Sequence, residues 1–300
     1  MPKFKKNLLA LLISLLLLSC NQEPIPTTSS FVVTPGDIVV SNITNDSVIV
    51  YSSDGTFKRV LYDVQNNAEV PYGVGWKHDT LEVMVAVDGS DRVMGISAID
   101  GSTRTIIQSA SLSGSIRGVT QLEDGSILVA ESNSIEKFTT DGIRVTDGFP
   151  LNGGINNVEN VFAKTDGGFV VCARGGDVVR TYQADGTMDD STASGIASTT
   201  DGYGCTELDD GNIVTAWSGS TDTISFYDSG LVDAGYSFND SSTLPNPRGV
   251  AQLENGNIVA ADATYHHLVE IDSTTGDFVG ILASSGLSTP NQIIVIPDFL

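Results

Sequence analysis

Positive charge is scarce in this chain: 15 Lys and Arg stand against 37 Asp and Glu, a net charge of −22 over 300 residues. Such a balance repels phosphate backbones and anionic surfaces, so no nucleic-acid partner is expected. Cysteine is scarcer still, with three residues, and no CxxC or HxxxH spacing offers a metal site. No cofactor is expected. The Ser-Gly pairs lack the G-x-S-x-G context of a nucleophile elbow, which weighs against a serine hydrolase. No segment carries the apolar period of a long amphipathic helix. Apolar runs are short everywhere except at residues 8–18.

That run follows Lys3, Lys5 and Lys6 and is shorter than the roughly 20 residues a membrane-spanning helix needs. Residues 1–19 therefore read as a secretory signal peptide. Loss of its three lysines takes the net charge from −22 to −25. The ending Leu17-Leu18-Ser19-Cys20 resembles the lipobox of bacterial lipoproteins, whose cysteine is acylated and becomes the first residue. The resemblance implies that Cys20 is lipidated and anchors the chain to a membrane, several acyl chains holding far better than one. Asn21 stands where an aspartate would resemble an inner-membrane retention signal, which implies an outer-membrane lipoprotein of the cell envelope. Residues 20–35 are expected to be the lipidated cysteine and a tether. Within it, NQEPIPTTSS (21–30) spans roughly 30 Å if extended at about 3.1 Å per residue.

What fills the remainder is a repeat. An apolar stretch, an Asp-Gly or Asn-Gly turn and a second apolar run ending in small residues occur as RGVTQLEDGSILVAE from Arg117, ENVFAKTDGGFVVCA from Glu159, YGCTELDDGNIVTAW from Tyr203 and RGVAQLENGNIVAAD from Arg248. A looser copy starts at Tyr72, with His78-Asp79-Thr80 in place of the glycine turn. Each copy leads to a second turn signal, such as Asp54-Gly55, Asp141-Gly142 or Ser229-Gly230. These turns supply the positive φ of tight hairpins, so every unit reads as four antiparallel strands. A four-stranded unit repeated every 40 to 50 residues is the signature of a β-propeller blade.

The chain joins the pattern at PGDIVVSN, with the second strand of a blade, and PNQIIVIPD near the C-terminus aligns with PRGVAQLEN. One blade is thus shared between the chain ends, which closes the ring and leaves no unpaired inner strand. The expected fold is all-β: a six-bladed β-propeller over residues 36–300, closed by a C-terminal strand that completes the first blade. The repeat resembles the NHL-repeat and TolB-like six-bladed propellers, the group that includes the SMP-30 lactonases. That fold hosts enzymes and binding modules alike.

Arg117 and Arg248 are three blades apart in a ring of six and therefore opposite. The equivalent residues, taken round the ring, are Asn291, Tyr72, Arg117, Glu159, Tyr203 and Arg248. Guanidinium forks suit carboxylate or phosphate, and tyrosine offers a stacking face, so these six are candidate ligand-binding residues at the channel mouth for a small anion or a protein's acidic group. The competing expectation is that Arg117 pairs with Glu159, and Arg248 with nearby acids, only to satisfy the inner strands. The lactonases hold a divalent metal with glutamate, asparagines and aspartate. Glu159, Asn160 and Asn291 would be the matching ligands, but no aspartate lies on the ring and two arginines repel a cation. Cys172 and Cys205 align with small buried residues of adjacent blades and are either free or bonded to each other. The histidines read as surface or turn residues.

A non-enzymatic, membrane-anchored binding propeller with a protein partner or small anionic ligand is the leading expectation. A lactonase-like envelope hydrolase is the alternative. The loops starting at Leu151 and Ser237 are further candidates for partner contact.

Overall fold

The computed structural model describes residues 31–63, 69–108, 110, 112, 114–176, 178–191 and 200–299. Residues 1–30, with Cys20 and the signal sequence, lie outside the described residues. Among the described residues there is no α-helix, and no helix is long and apolar enough to cross a membrane.

Among the described residues twenty-four strands form six antiparallel four-stranded sheets. The first blade begins with β1 (Ile38–Asn42), β2 (Ser47–Tyr51) and β3 (Phe57–Asp63). The second holds β4 (Val70–Lys77), β5 (Glu82–Asp88), β6 (Arg92–Ser97) and β7 (Thr103–Ile107). The third holds β8 (Ile116–Gln121), β9 (Ile127–Glu131), β10 (Ser134–Phe138) and β11 (Arg144–Val145). The fourth holds β12 (Asn156–Ala163), β13 (Phe169–Gly175), β14 (Val178–Tyr182) and β15 (Met188–Ser191). The fifth holds β16 (Thr200–Glu207), β17 (Ile213–Gly219), β18 (Thr223–Tyr227) and β19 (Asp233–Phe238). The sixth holds β20 (Pro247–Gln252), β21 (Ile258–Asp262), β22 (His267–Ile271) and β23 (Phe278–Ala283). The last strand, β24 (Pro290–Val295), pairs with β1 as the inner strand of the first blade, so the ring closes as the sequence predicts.

The core is not one mass but six apolar clusters, each between two neighbouring blades. Strand β9 shows why its sequence, ILVAE, is apolar almost throughout. Ile127 and Val129 pack toward the second blade, Leu128 and Ala130 toward the fourth. Successive side chains point to opposite faces, and a blade is covered on both. Trp217 and the cysteines fill the cluster between blades four and five. There Cys172 and Cys205, with Cα atoms 6.0 Å apart, are joined as a disulfide.

Glycine takes the left-handed position in most of the turns that the repeat predicts, as at Gly125 and Gly211 (φ 83° in each). Two turns differ. In the second blade Leu81 takes it (φ 53°), and in the Ser229-Gly230 turn it falls to Leu231 (φ 59°) and not to Gly230.

The propeller begins earlier than residue 36. Val33 is fully buried in the cluster between blades one and two, and the Val32 amide donates to the Ala98 carbonyl at 2.8 Å. The apolar pair Val32-Val33 thus belongs to the domain and not to the tether, because burying it recovers more than leaving it in water. This segment fixes where the chain joins the ring. Ala98 follows the end of β6, which runs parallel to the inner strand β4, and the Gly36 amide donates to Ile296, just past the end of β24. The chain therefore joins at the face where the inner strands end.

Candidate functional site

The six ring residues sit where the inner strands begin, and each lies in an irregularity of its ladder. In blade three Ile116 pairs with Glu131 and Gly118 with Ala130, which leaves Arg117 as the extra residue of a β-bulge. Tyr72, Glu159 and Tyr203 occupy the same bulge in their blades, and Arg248 and Asn291 fall within the corresponding shifts. A bulge re-aims a side chain, and six of them turn the ring residues together.

The position after each ring residue determines what lies beneath. In four blades it is glycine: Gly73, Gly118, Gly204 and Gly249. A Cβ on Gly249 would stand 2.4 Å from the Asn291 carbonyl oxygen, and one on Gly73 2.0 Å from that of Arg117. These glycines let neighbouring inner strands close on each other. In the two remaining, opposite blades the residues are Asn160 and Gln292. The Asn160 amide donates to Gln292 Oε1 at 2.5 Å, and Gln292 Nε2 donates to the Glu159 and Tyr203 carbonyls at 3.4 and 3.3 Å. Both side chains are buried. They bond across the channel one residue below the ring, and the ring together with this pair is called the cup below.

Within the cup the arginines behave differently. Arg117 Nη1 lies 3.2 Å from both oxygens of Glu159 and donates to the Tyr72 hydroxyl, with its guanidinium 4.5 Å from the Tyr72 ring centre. The structural pairing expected of Arg117 is present. Arg248 is otherwise placed. Its Nε donates to Asn246 Oδ1 at 3.0 Å and its guanidinium lies 3.7 Å from the Tyr203 ring centre. Among the described residues no carboxylate lies within 4.0 Å of it, so the expected pairing with nearby acids is absent. The residue at that distance is the neutral Asn246, whose Oδ1 also accepts from Ser218 Oγ.

A third arginine, Arg174 at the end of β13, was not among the candidates. It reaches Glu159 Oε1 at 3.3 Å and Asp201 Oδ2 at 3.2 Å, and lies 5.1 Å from the Tyr203 ring centre. It lies outside the inner-strand motif, one strand further out. Its signal is a cation where the aligned residues are Ile43, Asp88, Ser132, Ser218 and Ala263.

Burial, and then the Glu159 charge, raise the Tyr72 phenol well above its ordinary value, and burial likewise raises that of Tyr203. Both stay neutral near pH 7 and keep a hydroxyl proton to donate. Asn291 donates to the Tyr72 carbonyl at 2.8 Å, while its buried Oδ1 has no partner among the described residues.

Of the candidate metal ligands Glu159, Asn160 and Asn291, the first two have partners within the fold. The Glu159 carboxylate faces two guanidiniums, the Asn160 amide is turned to Gln292, and no group of three or more His, Cys, Asp or Glu suited to a metal occurs among the described residues. His266 sits in a turn (φ 58°), as expected. His267 is a correction: it opens β22, is buried, and its Nε2 lies 2.9 Å from the Thr243 carbonyl, the strand pattern having carried it inward.

No protein-family model and no curated protein matches the chain. Solved structures do match in fold. A chain of a nidogen/laminin complex superposes with a TM-score of 0.69 at 14% identity, over 86% of this chain and 97% of that one. A protein of unknown function from Bacteroides caccae gives a TM-score of 0.66 at 16% identity, over 88% of this chain and all of the other. The chain is a six-bladed β-propeller.

Proposed function

We propose that this protein is a non-enzymatic binding propeller of the bacterial cell envelope, held to the outer membrane by lipid on Cys20, and that it takes its ligand or protein partner at the channel mouth. One observation carries the binding site: six ladder irregularities gather two tyrosines, two arginines, a glutamate and an asparagine above the bonded pair Asn160 and Gln292. The exposed loop at residues 152–154 and the partly exposed loop at residues 239–243 lead into β12 and β20 and so rim the same face. Rigid scaffolds commonly bind through such loops. The similarly folded chain in the nidogen/laminin complex is itself part of an assembly between proteins. A lactonase-like hydrolase has less support, since the carboxylate it would need is engaged by Arg117 and Arg174.

Two experiments test this. Metabolic labelling with a palmitate analogue should mark the wild-type protein and not Cys20→Ser; equal labelling would remove the anchor. A photo-crosslinker placed at Asn152 or Ser241 should capture a partner in intact cells, and one at Asn255, on the opposite face, should not. Capture from Asn255 alone would move the site away from the mouth.

A further inference from the structure

The arginines of the cup differ in their partners. Arg117 and Arg174 share Glu159, and Arg174 also meets Asp201. Arg248, which lies against the same Tyr203 ring as Arg174, has no carboxylate within 4.0 Å among the described residues, and neither Nη atom has a hydrogen-bond partner among them. We infer that Arg248 is the ligand-reading group of the mouth and that it takes a carboxylate end-on, across Nη1 and Nη2. The inference rests on the mouth being the binding site.

Three features of the structure carry it. The guanidinium is held before any ligand arrives: its Nε edge is taken by Asn246 Oδ1, which also accepts from Ser218 Oγ at 2.9 Å, while the Asn246 backbone N–H donates to Asp262 Oδ2 at 2.8 Å. One face is covered by Tyr203. What remains is the pair of Nη atoms, a planar fork matched to two carboxylate oxygens. Pre-ordering of this kind lowers the entropy lost on binding. Secondly, the Arg248 guanidinium has no carboxylate at contact distance among the described residues, Asp262 standing one residue away behind Asn246, in a chain of net charge −22. A single carboxylate can pair with that fork, while a polyanion is repelled by the rest of the surface. Thirdly, Arg248 is only partly buried, so the fork is reachable from solvent.

The carboxylate can belong to a small organic acid or to an acidic residue or C-terminus of a partner protein, since the fork reads the same group in each. Both sources can be tested on the folded protein by following backbone and arginine side-chain NMR signals. Gluconate serves as the small acid and a short uncharged peptide ending in a single glutamate as the partner mimic. Arg248→Gln should weaken whichever probe binds by about tenfold or more, equivalent to about 1.4 kcal/mol. Arg248→Lys, which keeps the charge and loses the fork, should restore only part of it. Gluconate binding alone would assign a small acid, and peptide binding alone a protein partner. The inference is overturned if Arg248→Gln binds as the wild type does while remaining folded, or if neither probe shifts the Arg248 signals at about 10 mM. Either result leaves the broader site to the crosslinking experiment. Shifts confined to the outer strands would sink both.

Discussion

Two arginines at equivalent positions on opposite blades have different work, and the difference is measurable. Arg117 neutralises Glu159, which is fully buried, and shares it with Arg174 at 35% side-chain exposure. Arg117→Ala would strip a charge-assisted hydrogen bond from a buried carboxylate, and a loss of roughly 1–3 kcal/mol in unfolding free energy is expected. Arg248→Gln removes a stacking contact and one hydrogen bond to Asn246, but strands no carboxylate. It should cost about 0.5–1 kcal/mol. Urea unfolding of the two variants checks the order; equal losses would make Arg248 structural as well. Acid sensitivity should appear at another residue, Asp79. Burial raises its carboxyl, but hydrogen bonds from Lys77, itself 1% exposed, and from Thr140 outweigh that and hold it at about 2, against 3.8 for the free group. A lowered folded value means that the stabilisation is whole above pH 3.8 and is lost as pH falls toward 2. Asp79→Asn should therefore lie closer to the wild type in stability at pH 2 than at pH 6, as read by thermal melts.

Among the elements, the inner strands set the tightest limits. Gly249 has no room for a side chain: a Cβ there meets the Asn291 oxygen at 2.4 Å and the Gln292 Cα at 2.8 Å, both backbone atoms that cannot swing away. Gly249→Ala should cost about 1–3 kcal/mol as overpacking that pushes blades six and one apart. Gly125→Ala is the comparison, with φ of 83° and nothing within 4 Å. It should cost about 1–2 kcal/mol from left-handed strain alone and leave the mouth undisturbed. The NMR signals of Asn291 and Gln292 should shift in the first variant and not in the second. Much of this architecture was legible in the sequence, because a propeller repeats its hydrophobic pattern and turn glycines blade by blade. The blade count, the closure by β24 and the opposition of Arg117 and Arg248 all follow from that spacing. The layer below the ring was written there too, in the glycine shared by four inner strands and replaced by Asn160 and Gln292, but a departure from a repeat does not say what the side chain touches. Arg174 escaped because it reaches the cup from β13, and Val33 because a short apolar pair beside a proline looks like linker until the pocket that receives it is seen.

At the scale of the whole molecule the decisive fact is which face carries what. The inner strands start at the cup and end at the opposite face, where Val32, Val33 and Gly36 fasten the incoming chain to Ala98 and Ile296. If Cys20 carries lipid, only residues 21–30 lie between it and the buried Phe31. Ten residues reach about 36 Å at full stretch. Turning the cup toward the lipid would require the tether to pass outward to the rim and then up the height of the ring. An inner strand of eight residues alone is about 26 Å long. Little tether is left for the outward leg, so the cup is expected to face away from the membrane and to meet ligands from the aqueous side. Full-length lipidated protein in vesicles can test this, with a fluorophore on Asn152→Cys at the rim of the cup or on Asn255→Cys at the opposite face. A headgroup-bound quencher should dim the Asn255 label strongly and the Asn152 label little. Stronger quenching at Asn152 would mean that the cup faces lipid, and carboxylate recognition by Arg248 would then have to serve a ligand at the membrane surface.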